Sequence, residues 1–273
     1  MQYLCPFDPD KAVDAGFPGF RAQVLSQLES ALMMSSHIKE GGCGPGLHYH
    51  RSDQLYYLIE GLMNIQLGTE IHHIRAETFV FIPAELAHRN WNEGPGDETH
   101  LEMMIPAPAP MAPLTIMVDS PDDVPAADRT DRHGYTRPID RGQLKEPLPG
   151  LRAQSLGDPR SGSLHAVVDY TEINAGSAGP HTHIHEFDQY YLVLRNRRRA
   201  CIGKACCVVA RAGGRACRCS ASPVQHRRRD REAPVSLGAA SRARQTMGPR
   251  RRRHRERSRH HRVTSIFKPA RCG

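Results

Sequence analysis

The stretch GCGPGLHYHRSDQLYYLIEG, residues 42–61, contains a pattern of histidine and glutamine that recurs later in the chain. His48 and His50 flank a single residue, and Gln54 follows four positions later. Because side chains two apart on a β-strand point to the same face, the two imidazoles are predicted to aim together while Tyr49 points away. Two imidazoles held side by side on a rigid strand indicate a metal-ligand pair that other parts of the chain must complete.

A second copy of this pattern follows downstream. The segment GPGLHYHRSDQLYYLIEG is matched by GPHTHIHEFDQYYLVL, and the earlier PGFRAQVL is matched by PGLRAQSL. The ligand-like positions of the first copy reappear, at one constant offset, as His183, His185 and Gln189. The chain is therefore interpreted as an internal duplication.

Each copy is divided into short runs of alternating, β-branched or aromatic residues, separated by Gly, Pro and Asn turns. Runs such as QLYYLIEG, LMNIQLG and TFVFIPA are typical of strands, and no run in the first copy favours a helix. Strands at this short, regular spacing predict an all-β fold, a closed barrel or jelly roll. The predicted domains are a first barrel at 17–105, a Pro-rich linker at 106–148, a partial second barrel at 149–194 and a tail at 195–273.

The spacing of these residues resembles the two conserved motifs of the cupin superfamily. The first motif is matched, with glutamine where a glutamate is usual, by Gly42, His48, His50, Gln54 and Gly61. The second is matched, with glutamates in place of two usual glycines, by Pro83, His88 and Asn92. The resemblance covers residues 35–105 in full and the second copy only over 164–194. The chain thus looks like a two-cupin protein, similar to type-2 cupins and quercetinase-like dioxygenases.

The resemblance implies a double-stranded β-helix, or jelly-roll, barrel with a divalent metal inside it. The ligands that it implies are His48, His50 and His88, with Gln54 in the fourth position and no catalytic residue beyond these ligands. Iron is the first expectation for the metal, and Mn, Zn, Ni and Cu are also compatible with imidazole ligands. The implied activity is that of a metal-dependent dioxygenase acting on a small organic substrate, phenolic or related. The alternative is a non-catalytic or isomerase-like cupin that binds a small molecule through the same metal.

The second copy offers a further metal site at His183, His185 and Gln189, but it lacks a recognisable second motif. The segment SPVQH, which ends at His226, has the wrong spacing after its proline. The second lobe is therefore predicted to be partial. Its unpaired strand edges would permit a homodimer through barrel edges.

The composition changes abruptly after Leu194. Residues 195–273 hold 22 Arg and 2 Lys against 3 acidic residues, so this tail carries +21 and the preceding residues carry −13 of the net +8. The tail also holds most of the 8 cysteines, while Cys5 and Cys43 lie isolated in the body. Two isolated cysteines do not make a disulfide framework, which fits a reducing compartment.

Three hypotheses account for the tail. It could be a basic arm that neutralises nucleic-acid phosphates, or a zinc site, although its cysteines lack the CxxC spacing of structural zinc sites. It could also be the coding region of the second cupin read out of frame, which in a GC-rich gene yields Arg, Ala, Gly, Pro and Cys. The third hypothesis is preferred because the change falls inside a strand that the first copy predicts should continue. A tail of this composition is predicted to be disordered, and nucleic acid is not the expected partner.

No apolar run in the sequence is long enough to span a bilayer, and the start, MQYLCPFDPDK, lacks the basic and apolar segments of a secretory signal. The sequence accordingly predicts a cytoplasmic protein with no membrane partner. Its expected partner is a small-molecule substrate.

Overall fold

The fold is described from a computed structural model, which covers residues 5–124, 134–177, 183–194, 197–202, 205–210 and 260–268. These residues form β-strands joined by loops and short 3-10 turns, so the predicted all-β class is confirmed. The turns lie at Pro9–Lys11, Pro121–Asp123, Arg141–Gln143 and Pro159–Ser161. A search of the described ranges finds no helix that is both long and apolar enough to cross a membrane.

Two antiparallel sheets make up the first barrel. Their strands, in chain order, are β1 (Val13–Asp14), β2 (Phe20–Gln27), β3 (Leu32–Ile38), β4 (His48–Tyr49), β5 (Asp53–Glu60), β6 (Leu62–Leu67), β7 (Glu70–Arg75), β8 (Thr78–Ile82), β9 (His88–Trp91), β10 (Glu98–Ile105), β11 (Ile116–Met117) and β12 (Thr136–Pro138). One sheet has the order β1-β2-β3-β10-β5-β8-β12, and the other has the order β11-β4-β9-β6-β7.

The two sheets face each other across a shared interior. The period of two along a strand sends Tyr56 and Leu58 of β5 inward, together with Val80 and Ile82 of β8. From the opposite sheet, these side chains are met by Met63, Ile65, Leu67 and Ile74. Two facing antiparallel sheets whose neighbouring strands are distant in sequence form the predicted jelly roll, which is confirmed.

Strand β8, with the sequence TFVFI, is buried on both of its faces. Phe79 and Phe81 point away from the barrel interior and join a core cluster with Leu156 and Tyr170 of the second copy. The guanidinium carbon of Arg137 lies 5.9 Å and 5.5 Å from the two phenylalanine ring centroids. A near-continuous apolar strand is what a sheet covered on both sides requires.

The second copy contributes a third sheet that covers this outer face. Its strands are β13 (Lys145–Leu148), β14 (Leu151–Gly157), β15 (Val167–Asn174), β16 (Tyr190–Leu192) and, from the tail, β19 (His260–Lys268), in the order β13-β14-β15-β19-β16. Polar contacts fasten the two copies together, because the Ser30 hydroxyl donates to the Asp188 carboxylate and lies 3.2 Å from the Tyr190 hydroxyl.

The segment between the two copies takes part in the first barrel. Strand β11 pairs with β4, with Ile116 opposite Tyr49, and β12 pairs with β8, with Thr136 opposite Val80. Each of the two barrel sheets therefore ends in a strand from residues 106–148. The Pro-rich composition did not predict these strands, because their partners lie far away in the sequence.

Within the tail, the structure describes strands β17 (Arg197–Ile202), β18 (Ala205–Ala210) and β19. Strands β17 and β18 pair with each other, and β19 lies between β15 and β16. These strands were not predicted from the sequence. Disorder was expected for the whole tail, residues 195–273, of which the structure describes these three strands. The rest of the tail, with His226 and residues 251–259 of the nucleic-acid arm, lies outside the described residues.

Replacement of Phe81 tests the packing between the barrel and the third sheet. Phe81→Ala removes a ring that is 1% exposed, and it should lower the free energy of unfolding by about 3–5 kcal/mol through lost burial and a cavity. Urea denaturation followed by circular dichroism measures this loss. The control is Val24→Ala on β2, where the side chain is 56% exposed. Equal, small losses in both variants would show that the third sheet does not cover Phe81.

Candidate metal centre

The barrel brings the three predicted histidine ligands together. His48 lies on β4 directly opposite His88 on β9, and His50 follows two residues after His48. One ring nitrogen from each of the three lies within 4.8 Å of the other two. All three side chains are 5% exposed or less, so the cluster lies inside the barrel and not on its surface.

Backbone carbonyls fix the orientation of all three imidazoles. The Nδ1 atoms of His48 and His88 lie 2.7 Å from the Gly46 carbonyl and 2.8 Å from the Leu86 carbonyl, and Nδ1 of His50 is hydrogen-bonded to the Leu114 carbonyl. A carbonyl can only accept, so each Nδ1 must carry the ring hydrogen. Each Nε2 therefore presents a lone pair, which is the form in which histidine binds a metal.

The Nε2 atoms are arranged as ligands and not as hydrogen-bonding partners. Nε2 of His48 and Nε2 of His50 are 3.2 Å apart, and two lone pairs at that distance repel unless a cation lies between them. Nε2 of His88 is buried and has no hydrogen-bond partner among the described residues. Leaving buried polar atoms unsatisfied is costly, so the three residues fit a bound divalent metal ion.

Burial holds the three histidines in their neutral form. It lowers the pKa of His50 to about 4, with a further contribution from His48, and it lowers the pKa of His88 well below its usual value. The pKa of His48 is also lowered, mainly by burial. Protons therefore do not compete with a metal for these nitrogens near neutral pH.

Gln54 lies beside this cluster on β5 and is 1% exposed. Its amide nitrogen donates to Oε1 of Glu102 at 2.6 Å, while its carbonyl oxygen is buried without a hydrogen-bond partner in the described part of the chain. The Gln54 side chain also interacts favourably with His50, which offsets part of the fall in the His50 pKa. The structure thus places Gln54 next to His50, one of the three predicted ligands.

A set of buried ionisable residues that was not predicted from the sequence lies behind Gln54. They come from β10, whose sequence ETHLEMMI puts Glu98, His100 and Glu102 on one face at a period of two. His100 Nδ1 lies 3.1 Å from both oxygens of Glu98, and His100 Nε2 lies 3.9 Å from Oε2 of Glu102. The alternation of charged residues within an otherwise apolar strand was the signal that could have identified them.

The environment of this set changes the pKa of two of its members. Burial lowers the pKa of His100, but the charge and hydrogen bond of Glu98 more than offset it, so that the pKa is raised overall. Burial raises the pKa of Glu102, and this shift is partly opposed by His100 and by hydrogen bonds from Ser36 and Gln54. In this set on β10, the cost of burying ionisable groups is therefore partly offset by opposite charges and hydrogen bonds.

The second copy brings two of its predicted ligands together. Nε2 of His183 lies 3.0 Å from Nε2 of His185, but both lie near the surface, and Ile184 between them is 94% exposed. Gln189 is half-buried. Among the residues that the structure describes, the three-ligand cluster is that of the first barrel, and none includes His183 or His185. A second metal site at these residues stays a prediction.

A cleft of about 640 Å³ on the barrel lies away from the histidines. It is lined by residues such as Asn64, His73 and Glu93 of the β6–β7 side, together with Thr136 and Pro138 of β12. None of the three buried histidines lines this cleft. The chemistry suggested by the histidine cluster therefore belongs to the barrel interior.

Comparison with known proteins agrees with this geometry. Residues 34–105 match a family model described as a cupin domain. The matched residues include all three histidines, Gln54 and Glu102. The match and the jelly-roll fold support the cupin resemblance over this part of the chain. No curated protein matches the sequence.

Solved structures share the fold at low sequence identity. A protein from Pseudomonas aeruginosa described as "Putative Glyoxylate Induced Protein" aligns with a TM-score of 0.51 at 12% identity, covering 69% of this chain and 68% of that one. Oxalate decarboxylase from Bacillus subtilis, a structure with Mn(II) centres, aligns at 13% identity over 64% of this chain and 59% of its own, with a TM-score of 0.45. An RmlC-like cupin from Shewanella frigidimarina aligns at 20% identity over 38% and 92%, with a TM-score of 0.34. Of these three alignments the first has a TM-score above 0.5, and at 12% identity it concerns the fold alone.

The neutral state of His50 predicts how the stability of the metal-free protein depends on pH. In the unfolded chain His50 takes up a proton near its usual pKa of about 6.5, whereas in the folded chain it does so only near pH 4. Between these values the unfolded state binds more protons, so the free energy of unfolding should fall as the pH drops from 6.5 to 4. His50→Gln should reduce this slope, as measured by urea denaturation at a series of pH values. Val24→Ala, which removes no ionisable group from an exposed position, should leave it unchanged. Identical slopes in the wild type and His50→Gln would contradict the buried neutral state.

Proposed function

We propose that the chain binds one divalent transition metal through His48, His50 and His88 and acts as a non-haem metal-dependent dioxygenase on a small organic molecule, phenolic or related. The observation that carries the proposal is the convergence of three buried Nε2 atoms whose rings are each fixed through Nδ1 to a backbone carbonyl. Iron is the first metal to test, and Mn, Zn, Ni and Cu also accept imidazole ligands.

The ligand set leaves room for a reaction at the metal. Three histidines occupy fewer positions than a transition metal usually fills, so that substrate or dioxygen can bind in the remaining positions. A metal held in this way would supply Lewis-acid and redox chemistry. Because Gln54 is neutral, its carbonyl oxygen would be a weaker fourth ligand than the carboxylate usual at this position.

The surrounding side chains suit a small, largely apolar substrate. The inner faces of β5, β6 and β8 supply aliphatic side chains that would pack against a ring and exclude water. Burial and the nearby Glu102 raise the pKa of Tyr56 well above its usual value, so this phenol keeps its proton. Tyr56 can therefore donate a hydrogen bond inside the barrel without acting as a base.

Metal analysis and oxygen uptake test the proposal together. Protein loaded anaerobically with Fe(II) should hold one metal per chain, and His88→Ala should lose most of it, because this substitution removes one of three ligands. His73→Ala, which lies outside the cluster, should retain the metal. With a panel of catechols, other phenols and thiols, the loaded wild type should consume dioxygen in a substrate-dependent way.

The outcomes separate the alternatives. Equal metal content in the wild type and His88→Ala would overturn the metal site. Metal binding without oxygen consumption for any substrate and any of the five metals would overturn the dioxygenase and favour the non-catalytic or isomerase-like cupin.

A further inference from the structure

Gln54 is held by a carboxylate that its own motif does not provide. Glu102 lies on β10 opposite Tyr56 of β5, two residues along from the register partner of Gln54, and its Oε1 accepts from the Gln54 amide nitrogen at 2.6 Å. Its other oxygen, Oε2, accepts from the Ser36 hydroxyl at 3.1 Å. Each carboxylate oxygen of Glu102 therefore accepts a hydrogen bond, one from Gln54 and the other from Ser36.

We propose that Glu102 is a positioning residue of the metal site, which turns the Gln54 carbonyl oxygen toward the three histidines so that it can serve as the fourth ligand. This inference rests on the metal site of the proposed function. It assigns to β10 a part of the site that neither sequence motif contains.

The direction of the Gln54 amide follows from the chemistry of its neighbour. The Gln54 amide nitrogen donates to Oε1 of Glu102 at 2.6 Å, so the nitrogen end of the amide faces Glu102. The oxygen end then faces away from Glu102. That oxygen is buried, lacks a hydrogen-bond partner in the described residues and belongs to a side chain that interacts with His50. A buried carbonyl oxygen without a hydrogen-bond partner, close to His50 of the histidine cluster, is the arrangement expected of a metal ligand in a metal-free site.

The network behind Glu102 keeps it in place. His100 lies between Glu98 and Glu102, with its Nδ1 3.1 Å from Glu98 and its Nε2 3.9 Å from Glu102. Ser36 reaches the same carboxylate from β3. Glu102 is thus held by the Ser36 hydrogen bond, while His100 lies near it without a hydrogen bond from Nε2. A carboxylate held in this way can in turn orient the Gln54 amide.

Isosteric exchange of the two side chains tests this arrangement, with Co(II) as the probe because its visible spectrum reports the ligands. Glu102→Gln replaces the carboxylate with an amide that can donate as well as accept, so the Gln54 amide is free to turn. Co(II) affinity, measured by competition with a chelator, should then weaken by about 10–100-fold. The absorption bands of bound Co(II) should shift in the same variant. Gln54→Glu combined with Glu102→Gln puts a carboxylate at the ligand position and an amide donor behind it. This double variant should bind Co(II) within about threefold of the wild type or more tightly.

A double-mutant cycle separates positioning from a general structural role. In a Gln54→Ala background there is no amide to orient, so Glu102→Gln should change Co(II) affinity and the spectrum little. Glu172→Gln, a buried glutamate of the second copy that is paired with Arg152, is the matched control and should leave both readouts unchanged. Thermal unfolding of each metal-free variant identifies any that fail to fold. If Glu102→Gln fails to fold, the Co(II) affinity of the exchanged double variant tests the inference instead.

Each outcome decides for or against the inference. A Glu102→Gln variant with wild-type affinity and spectrum would overturn it while leaving the metal site intact, and so would an equal loss with and without Gln54. An exchanged double variant that folds but binds Co(II) as weakly as Glu102→Gln would also overturn it. Wild-type protein that binds no Co(II) would overturn both this inference and the proposed function.

Discussion

The metal centre depends on three hydrogen bonds from imidazole Nδ1 atoms to backbone carbonyls. These bonds decide which nitrogen of each ring carries a hydrogen, and thereby direct three lone pairs to one point. Two of the carbonyls, those of Gly46 and Leu86, lie two residues before the histidine that they orient. The third, that of Leu114, comes from the segment that follows the first barrel. The site is therefore complete only when that segment is in place.

The strands explain how the chain achieves this arrangement. Pairing of β11 with β4 brings Met117 opposite His48, and the Val118 amide donates to the Leu47 carbonyl at 3.0 Å. The same pairing holds the preceding residues, including Leu114, over the edge of the barrel near His50. Strands β5 and β8 are apolar on both faces. One face of each strand lines the barrel interior, and the other face packs against the third sheet. The first barrel, the connecting segment and the second copy thus share one continuous packing arrangement.

Much of the barrel could be predicted from the sequence because its signals are local. The alternation of His48 and His50 and the apolar run of β8 follow from side-chain periodicity within a few residues, and the resemblance to the second cupin motif implied His88. The positions of β11 and β12 could not be predicted, because they depend on pairing across more than fifty residues. The alternation of charged residues along β10 marks Glu102 as one of a set, but its contact with Gln54 follows from the register of β10 against β5, which that alternation does not encode. The second copy shows the limit of motif reasoning, since its paired histidines recur without a third ligand in the described residues.

The location of a bound metal tests the central claim most directly. In a crystal of the Fe(II)- or Co(II)-loaded protein, diffraction data collected at the absorption edge of the metal should give one anomalous peak inside the first barrel. The account predicts that this peak lies about 2.0–2.2 Å from Nε2 of His48, His50 and His88, a distance typical of metal–imidazole bonds. A peak at any other position, or a metal bound through the Nδ1 atoms, would contradict it.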